Sequence, residues 1–127
     1  MSETQRILLV DDSLDGLVAL ARLLKRHGYE VTPVTSAEEA LKALDQSLFN
    51  LLITDWRLPG MDGLTLAQRA QAKCPHLKVL TLTAYEDFYN KARLRRMTSV
   101  DAHLTKPVDP RLLLALLTDL LSHHRPH

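Results

Sequence analysis

Residues 50–63 have the sequence NLLITDWRLPGMDG. The apolar run through Ile53 is typical of a strand covered on both faces, and Asp55 stands at its C-terminal tip. The turn-forming residues Pro59 and Gly60 follow at once. Because open α/β sheets bind ligands at the carboxyl ends of their strands, Asp55 is predicted to lie at a functional edge of a sheet.

Short apolar runs alternate with longer amphipathic stretches along the chain. The runs predict five strands, at Arg6 to Val10, Glu30 to Thr35, Phe49 to Thr54, Leu77 to Thr83 and Val100 to Thr105. Five helices are predicted after them, from Leu14 to near Gly28, from Ser36, from Leu64 to near Pro75, from Glu86 to Met97 and from Pro110 to about Ser122. This alternation predicts an α/β fold, a doubly wound parallel sheet with helices on both faces.

Local signals support several of these boundaries. Ser13 is a plausible N-cap for the first helix. Ser36 and Glu39 have capping-box spacing at the start of the second helix. Pro33 cannot donate a backbone hydrogen bond, so the second strand is predicted to lie at an edge of the sheet.

Composition narrows the class of protein. A chain of 127 residues is long enough for one domain, predicted over 1–127 with its core at about 5–122 and a polar tail at 123–127. Basic and acidic side chains number 16 and 15, for a net charge of +1, so there is no electrostatic case for direct nucleic-acid binding.

The predicted compartment is the cytoplasm. The single cysteine, Cys74, cannot form an internal disulfide, which favours a reducing environment. No apolar run approaches membrane-spanning length, and the N-terminus lacks the core of a signal peptide, so no membrane association is expected.

Polar side chains follow four of the predicted strands. Asp11, Asp12, Asp55, Thr83 and Lys106 all stand at strand C-termini. Right-handed crossovers place those ends on one edge of a parallel sheet, so the five side chains are predicted to converge. Singly, each has an ordinary explanation: a turn-forming or capping acid, a strand threonine, a solvated lysine. Their joint placement favours a site.

The predicted chemistry of this edge is phosphoryl transfer. Three close carboxylates repel one another, and a hard divalent cation with oxygen ligands, Mg2+, resolves the repulsion. Asp55 is the natural nucleophile, attacking phosphorus to form an acyl phosphate. Thr83 can donate its hydroxyl to a phosphoryl oxygen, and Lys106 can pair with a carboxylate or with the phosphoryl group.

Four stretches carry a family resemblance. They are LLVDDS at 8–13, ITDWRLPGMDGL at 53–64, LTA at 82–84 and LTKP at 104–107. In this order and at these spacings they resemble the receiver domain of two-component response regulators, over nearly the whole chain. The resemblance implies a flavodoxin-like fold with strand order 2-1-3-4-5.

The resemblance also implies roles for the site residues. Asp55 is similar to the phospho-acceptor, which receives phosphate from a histidine kinase or a phosphotransfer protein. Asp12 is similar to the principal Mg2+ ligand, with Asp11 beside it and acting through water, and Arg57 would supply a backbone carbonyl. Thr83 is similar to the switch hydroxyl and Lys106 to the phosphate-binding lysine.

The resemblance further implies neighbours of the phosphoryl group. They are Trp56, Arg57, Ala84 and Tyr85. Ala84 leaves room for the phosphoryl group, whereas the large side chains at Arg57 and Tyr85 restrict water and predict a long phosphoryl lifetime. The peptide bond before Pro107 is expected to be cis, which proline makes energetically accessible.

One position departs from the family pattern. The family usually has tyrosine or phenylalanine three residues before the lysine, turning inward as the threonine moves, and here that residue is His103. Ser99 also replaces the usual glycine before the fifth strand. His103 is expected to face solvent, and a pH-responsive role is the alternative, since imidazole titrates near neutral pH.

The last helix is unusually rich in leucine. Its leucines are Leu112, Leu113, Leu114, Leu116, Leu117, Leu120 and Leu121. So wide an apolar surface is either deeply buried or meets a partner, and about half of these leucines are expected in the core. In the family, the face of the fourth helix, fifth strand and fifth helix forms an output or homodimer surface. The charged stretch 91–96 is predicted to be a solvated helix face or, second, a partner-binding face.

The leading functional hypothesis is a phosphorylation-controlled signalling switch that passes its signal to a downstream output domain or protein. Such a protein is not an enzyme for other substrates, because it catalyses only its own phosphorylation and dephosphorylation. One alternative is a metal-dependent phosphatase or phosphotransferase, although the chain is short for the cap such an enzyme needs. The other is a pseudo-receiver that binds a partner without phosphorylation, which the complete set of site residues argues against.

Overall fold

The computed structural model describes residues 4–84 and 99–122 of the chain. Their elements are β1 Arg6–Val10, α1 Leu14–Arg26, β2 Glu30–Val34, α2 Ala37–Gln46, β3 Leu51–Asp55, α3 Gly63–Lys73, β4 Lys78–Thr83, β5 Ala102–Thr105 and α4 Pro110–Ser122. The charged helix predicted over 86–97 and the polar tail 123–127 lie outside the described residues. The leucine-rich helix predicted as the fifth is α4.

The five strands form one parallel sheet in the order β2-β1-β3-β4-β5. The doubly wound α/β architecture and its strand order are therefore confirmed. β3 lies at the centre, and all five of its residues are buried, as its apolar run predicts. β2 lies at an edge, which is where Pro33 can be accommodated.

Strand residues alternate between two cores, because successive side chains point to opposite faces of a sheet. Val10, Leu52 and Val79 pack on one face, in the same cluster as residues of α2 and α3. Leu9 and Ile53 pack on the other, with residues of α1 and α4. Each fully buried aliphatic side chain contributes about 1.5–3 kcal/mol of transfer free energy, so the central strands are held firmly on both faces.

The predicted helix starts differ in how they are capped. Ser36 Oγ accepts from Glu39 N at 3.1 Å, and Glu39 Oε1 accepts from Thr35 N at 2.9 Å. The hydrogen bond from the Thr35 backbone, and then that from the Thr35 hydroxyl at 3.0 Å, lower the pKa of the Glu39 carboxyl. Ser13 also stands at an N-cap position, but its side chain makes no capping hydrogen bond. Gly28, with φ +93°, follows α1 as expected.

The leucines of α4 are graded in their burial. Leu113 and Leu117 are fully buried against the sheet, whereas Leu112 is 58% exposed. The remaining four are partly buried and pack against the same cluster: Leu114, Leu116, Leu120 and Leu121. The helix is therefore largely a core element with one exposed apolar edge.

Candidate functional site

The polar strand ends meet at one edge of the sheet. Asp55 is the last residue of β3 and Thr83 the last of β4, while Asp11 and Lys106 directly follow β1 and β5. Backbone hydrogen bonds continue the ladder past the strands. Asp11 N donates to Val34 O at 3.2 Å and Lys106 N to Thr83 O at 2.7 Å. These bonds fix the backbone positions from which the Asp11 and Lys106 side chains project.

Three carboxylates form a tight cluster. Asp11, Asp12 and Asp55 each offer an oxygen, and these oxygens lie within 4.8 Å of one another. Asp11 and Asp55 are buried and Asp12 is exposed. Carboxylate oxygens are the ligands that Mg2+ prefers, and one exposed member leaves a route for an ion to enter. The donor set of these three residues therefore fits a hard divalent cation, whereas the Arg57 carbonyl stays a predicted ligand.

Asp11 is oriented by its own turn. Its Oδ1 accepts from Ser13 N at 2.9 Å. A Cβ at Gly16 would lie 3.0 Å from the other oxygen, Oδ2. The absence of a side chain at residue 16 therefore leaves room around that oxygen.

The Asp55 carboxylate lies in an environment that disfavours its negative charge. Its Oδ1 lies 2.6 Å from Lys106 Nζ, and the two groups form an ion pair. Burial raises the pKa of the Asp55 carboxyl to about 7; Lys106 opposes this rise and Asp11 adds to it. A buried carboxylate that Lys106 only partly compensates would be stabilised further by a bound cation.

The start of α3 is pressed against the end of β3. Gly63 N donates to Trp56 O at 2.6 Å, and a Cβ at residue 63 would overlap the backbone oxygen of Asp55. Asp62 caps the helix by accepting from Thr65 N at 2.8 Å. Glycine at residue 63 is therefore required for this close approach, and it helps to fix the position of Asp55.

Thr83 and Lys106 flank the carboxylates from β4 and β5. Thr83 is fully buried, and its hydroxyl donates to Leu104 O over a long 3.4 Å. Such a weak bond can be exchanged for a better acceptor. The Lys106–Pro107 bond is cis, as predicted. Ala84 follows Thr83 and is half-buried.

The other residues predicted to border the phosphoryl group differ from one another in their exposure. The Trp56 side chain is buried in a small cluster with Leu64 and Val100, so it serves the core. Arg57 is exposed, and Tyr85 lies outside the described residues. The long phosphoryl lifetime stays a prediction.

His103 lies in β5 directly opposite Thr81 of β4, and it is half-buried rather than fully solvent-facing. Sequence reasoning overlooked Thr81, whose hydroxyl is fully buried and has no hydrogen-bond partner among the described residues. It also overlooked Gly16 and Gly63. The spacing of Thr81 and Thr83 was visible, but only the register of β4 against β5 shows what Thr81 faces.

A cleft of about 440 Å³ opens beside the carboxylates, between α1 and the segment after β5. Asp11 and Lys106 stand at its polar end, and its apolar wall includes Leu20, Leu23 and Val108. The polar end of the site thus opens onto this cleft. In the part of the chain that the structure describes, no helix is long and apolar enough to cross a bilayer.

Comparisons with known proteins agree with this geometry. Residues 7–118 match the family described as response regulator receiver domain. The chain is 38% identical over 119 residues to the response regulator protein FleR of Pseudomonas aeruginosa, covering 94% of this chain and 24% of that protein. It spans about a quarter of the length of the curated relatives it matches.

Solved structures show the same fold. A CheY-like receiver domain protein from Methanospirillum hungatei superposes with a TM-score of 0.86 at 34% identity, covering 94% of each chain. The response regulator protein TrrA from Thermotoga maritima, solved in complex with Mg2+ and BeF, has a TM-score of 0.83 at 30% identity. That match covers 93% of this chain and all of the other.

Proposed function

The chain belongs to the response regulator receiver domain family, and we propose that it is a switch controlled by phosphorylation of Asp55. The phosphoryl donor is a phosphohistidine of a histidine kinase or a phosphotransfer protein. The observation that carries this proposal is the placement of Asp55. Its buried carboxylate lies 2.6 Å from Lys106 and within 4.8 Å of carboxylate oxygens of Asp11 and Asp12.

The reaction is an in-line substitution at phosphorus. An Asp55 carboxylate oxygen forms the new P–O bond and the P–N bond of the phosphohistidine breaks. Its electron pair leaves with the imidazole, which departs neutral because its other ring nitrogen carries a proton. The product is an acyl phosphate. Mg2+, when bound, supplies positive charge that offsets the phosphoryl oxygens and the carboxylates. Lys106 contributes a second positive charge, and Thr83 can donate its hydroxyl to a phosphoryl oxygen.

The donor protein docks over the cleft between α1 and the segment after β5. An apolar wall that includes Leu20, Leu23 and Val108 suits a helix carrying the phosphohistidine. The polar end of the same cleft, at Asp11 and Lys106, lies beside Asp55. Docking there brings the phosphoryl group to the nucleophile without a rearrangement of the sheet.

Phosphorylation changes the surface formed by β5 and α4, through Thr83 at the end of β4. When the Thr83 hydroxyl turns to the phosphoryl group, it releases Leu104 O of β5, and the surface of β5 and α4 responds. Leu112 provides an exposed apolar contact on that surface for an output domain or a second copy. Because FleR is about four times longer than the aligned region, an output domain in the same chain is one form this partner can take.

Incubation with Mg2+ and phosphoramidate, followed by intact-mass measurement, tests the proposal. The wild type should gain the mass of one phosphoryl group, and EDTA or Asp55→Asn should prevent the gain. Asp45→Asn is the matched control, an exposed acid paired with Lys73 at 2.7 Å, and should be phosphorylated normally. An unmodified wild type would favour a pseudo-receiver, and steady turnover of unrelated phosphate esters would favour a phosphatase.

A further inference from the structure

Gly16 is a glycine whose backbone conformation does not require one. It is the third residue of α1, and a positive φ is found instead at Gly28 and Gly60. Glycine is less favourable than alanine inside a helix, because it has more backbone freedom to lose on folding. A reason for glycine at residue 16 is therefore to be sought in the space around it.

The space beside Gly16 is taken up by the Asp11 carboxyl group. A Cβ at residue 16 would lie 3.0 Å from Asp11 Oδ2, 3.7 Å from Ser13 Oγ and 3.8 Å from Asp11 Cγ. The first of these distances is shorter than an ordinary van der Waals contact, so the carboxylate would have to give way by a few tenths of an ångström. Alanine thus suits the helix but not the present position of Oδ2.

The rest of Asp11 is held in place by hydrogen bonds. Its backbone N donates to Val34 O at 3.2 Å, and its Oδ1 accepts from Ser13 N at 2.9 Å. A methyl group pressed against Oδ2 while Oδ1 is tethered would rotate the carboxylate about its bond to Cβ. The direction in which Oδ2 presents its lone pairs would then change, although the residue stays where it is.

This direction matters because Asp11 belongs to the carboxylate cluster with Asp12 and Asp55. Mg2+ requires nearly octahedral coordination with oxygens at about 2.0–2.1 Å, whereas Ca2+ accepts about six to eight oxygens at 2.3–2.6 Å in a flexible arrangement. A small rotation of the Asp11 carboxylate should therefore weaken Mg2+ binding more than Ca2+ binding.

We propose that Gly16 is a positioning residue for the metal site. By lacking a side chain it lets Asp11 keep the orientation that Mg2+ binding needs, and α1 is less stable as a result. Gly16 acts through Asp11 and has no side chain of its own to bind a cation. The metal role of Asp11 rests on the proposed function, whereas the contact between residue 16 and Oδ2 rests on geometry. One substitution should thus change stability and Mg2+ affinity in opposite directions.

Thermal unfolding in EDTA measures the first direction. Without a cation the three carboxylates repel one another, so Asp11 can turn aside, and Gly16→Ala should melt at the wild-type temperature or above. Ala19→Gly, at another exposed position of α1, is the matched control in the opposite sense and should melt lower. A clearly lower melting temperature for Gly16→Ala would leave Gly16 a packing role only, and would overturn the proposal.

Calorimetric titration with Mg2+ and with Ca2+ measures the second direction. Gly16→Ala should raise the Mg2+ dissociation constant roughly tenfold, as loss of a group that orients a metal ligand does, and the Ca2+ constant by less. Ala19→Gly should leave both constants unchanged, which separates helix stability from affinity. An unchanged Mg2+ constant in Gly16→Ala, or equal losses for the two ions, would count against a positioning role.

The variant Asp11→Ala tests whether the effect passes through Asp11. Alanine at residue 11 has no carboxylate to displace, so adding Gly16→Ala should leave the remaining Mg2+ affinity unchanged. A further loss in that background would show that Gly16 acts elsewhere, and the proposal would be wrong. A wild type that binds no Mg2+ would contradict the metal site of the proposed function instead. If the wild type and Gly16→Ala bind Mg2+ equally, only the role of Gly16 fails.

Discussion

Asp55 is a carboxylate whose burial opposes its charge. It is 5% exposed, and the loss of water raises its pKa to about 7, even though Lys106 lies 2.6 Å away. The proposed nucleophile must be ionised to react, so we expect a compensating cation to favour its reaction.

Replacing Asp55 by Asn should stabilise the cation-free protein at alkaline pH. The pKa of Asp55 in the folded state, about 7, exceeds its ordinary value of 3.8, so the folded state binds more protons between these pH values. Stability from this group is therefore greatest at acid pH and is lost as pH rises through about 7. At about 1.4 kcal/mol per pKa unit, the gain in Asp55→Asn at pH 8 should be on the order of 2–4 kcal/mol.

Denaturant unfolding in EDTA measures this gain. It should shrink progressively as pH is lowered from about 7 toward 4. Asp45→Asn, which removes an exposed ion pair with Lys73, should change stability by less than about 1 kcal/mol. If Asp55→Asn were less stable than the wild type at pH 8, this electrostatic account would be wrong.

At the residue scale, sequence reasoning found the groups at the strand tips but not their burial. Asp11 and Asp12 are adjacent and chemically identical, yet one is buried and the other exposed. Their exposure depends on how neighbouring elements pack around each side chain, which is non-local. The unpaired hydroxyl of Thr81 was equally invisible, because hydrogen bonding depends on the register of β4 and β5.

The two serine N-caps provide an element-scale prediction. Ser36→Ala removes the hydrogen bond from Glu39 N and should cost about 1 kcal/mol of folding free energy. Ser13→Ala removes no capping bond, so its effect should stay within about 0.5 kcal/mol. Urea denaturation of both variants measures the difference. Equal losses would show that the Ser36 cap does not stabilise α2.

The leucines of α4 provide a second prediction at the scale of the element. Leu117 is 0% exposed, and Leu117→Ala should cost about 2–5 kcal/mol because it leaves a cavity. Leu112 is 58% exposed, so Leu112→Ala should change stability by about 0.5 kcal/mol or less. Leu112→Ala should act instead on association with a partner. A large stability loss from Leu112→Ala would place that side chain in the core.

Element boundaries were largely predictable because their causes are local. β1 was placed at its observed residues, and β3 was misplaced by two residues at its start and one at its end. The graded burial of the α4 leucines was harder to predict. Helical spacing shows that the helix is apolar over a wide arc, but the sheet decides which part of that arc is covered.

At the scale of the whole molecule, alternating strands and helices were enough to predict an α/β fold. Their order in the sheet came from the family resemblance, because strand pairing joins distant residues and leaves little local trace. The convergence of Asp11, Asp55 and Lys106 follows from the parallel topology alone. The fold, more than any single residue, therefore assembles the site.

Mg2+ should stabilise the folded protein through this site. A ligand that binds only the folded state stabilises it by about 1.4 kcal/mol at ten times its dissociation constant. The melting temperature at pH 8 should rise with Mg2+ in the wild type and not in Asp55→Asn, with Na+ at matched ionic strength as control. The rise should be smaller at pH 6, where protons compete for Asp55. An equal rise in both proteins would place Mg2+ elsewhere.

The central claim, that Asp55 receives the phosphoryl group, is tested most directly by locating the modification. An acyl phosphate can be reduced by borohydride, which converts the modified aspartate to homoserine and marks its position in the peptide. After reaction with phosphoramidate and Mg2+, mass spectrometry of the peptides should place the mark on Asp55 alone. A mark on Asp11, Asp12 or another residue, or no mark on a protein that reacts, would contradict the account.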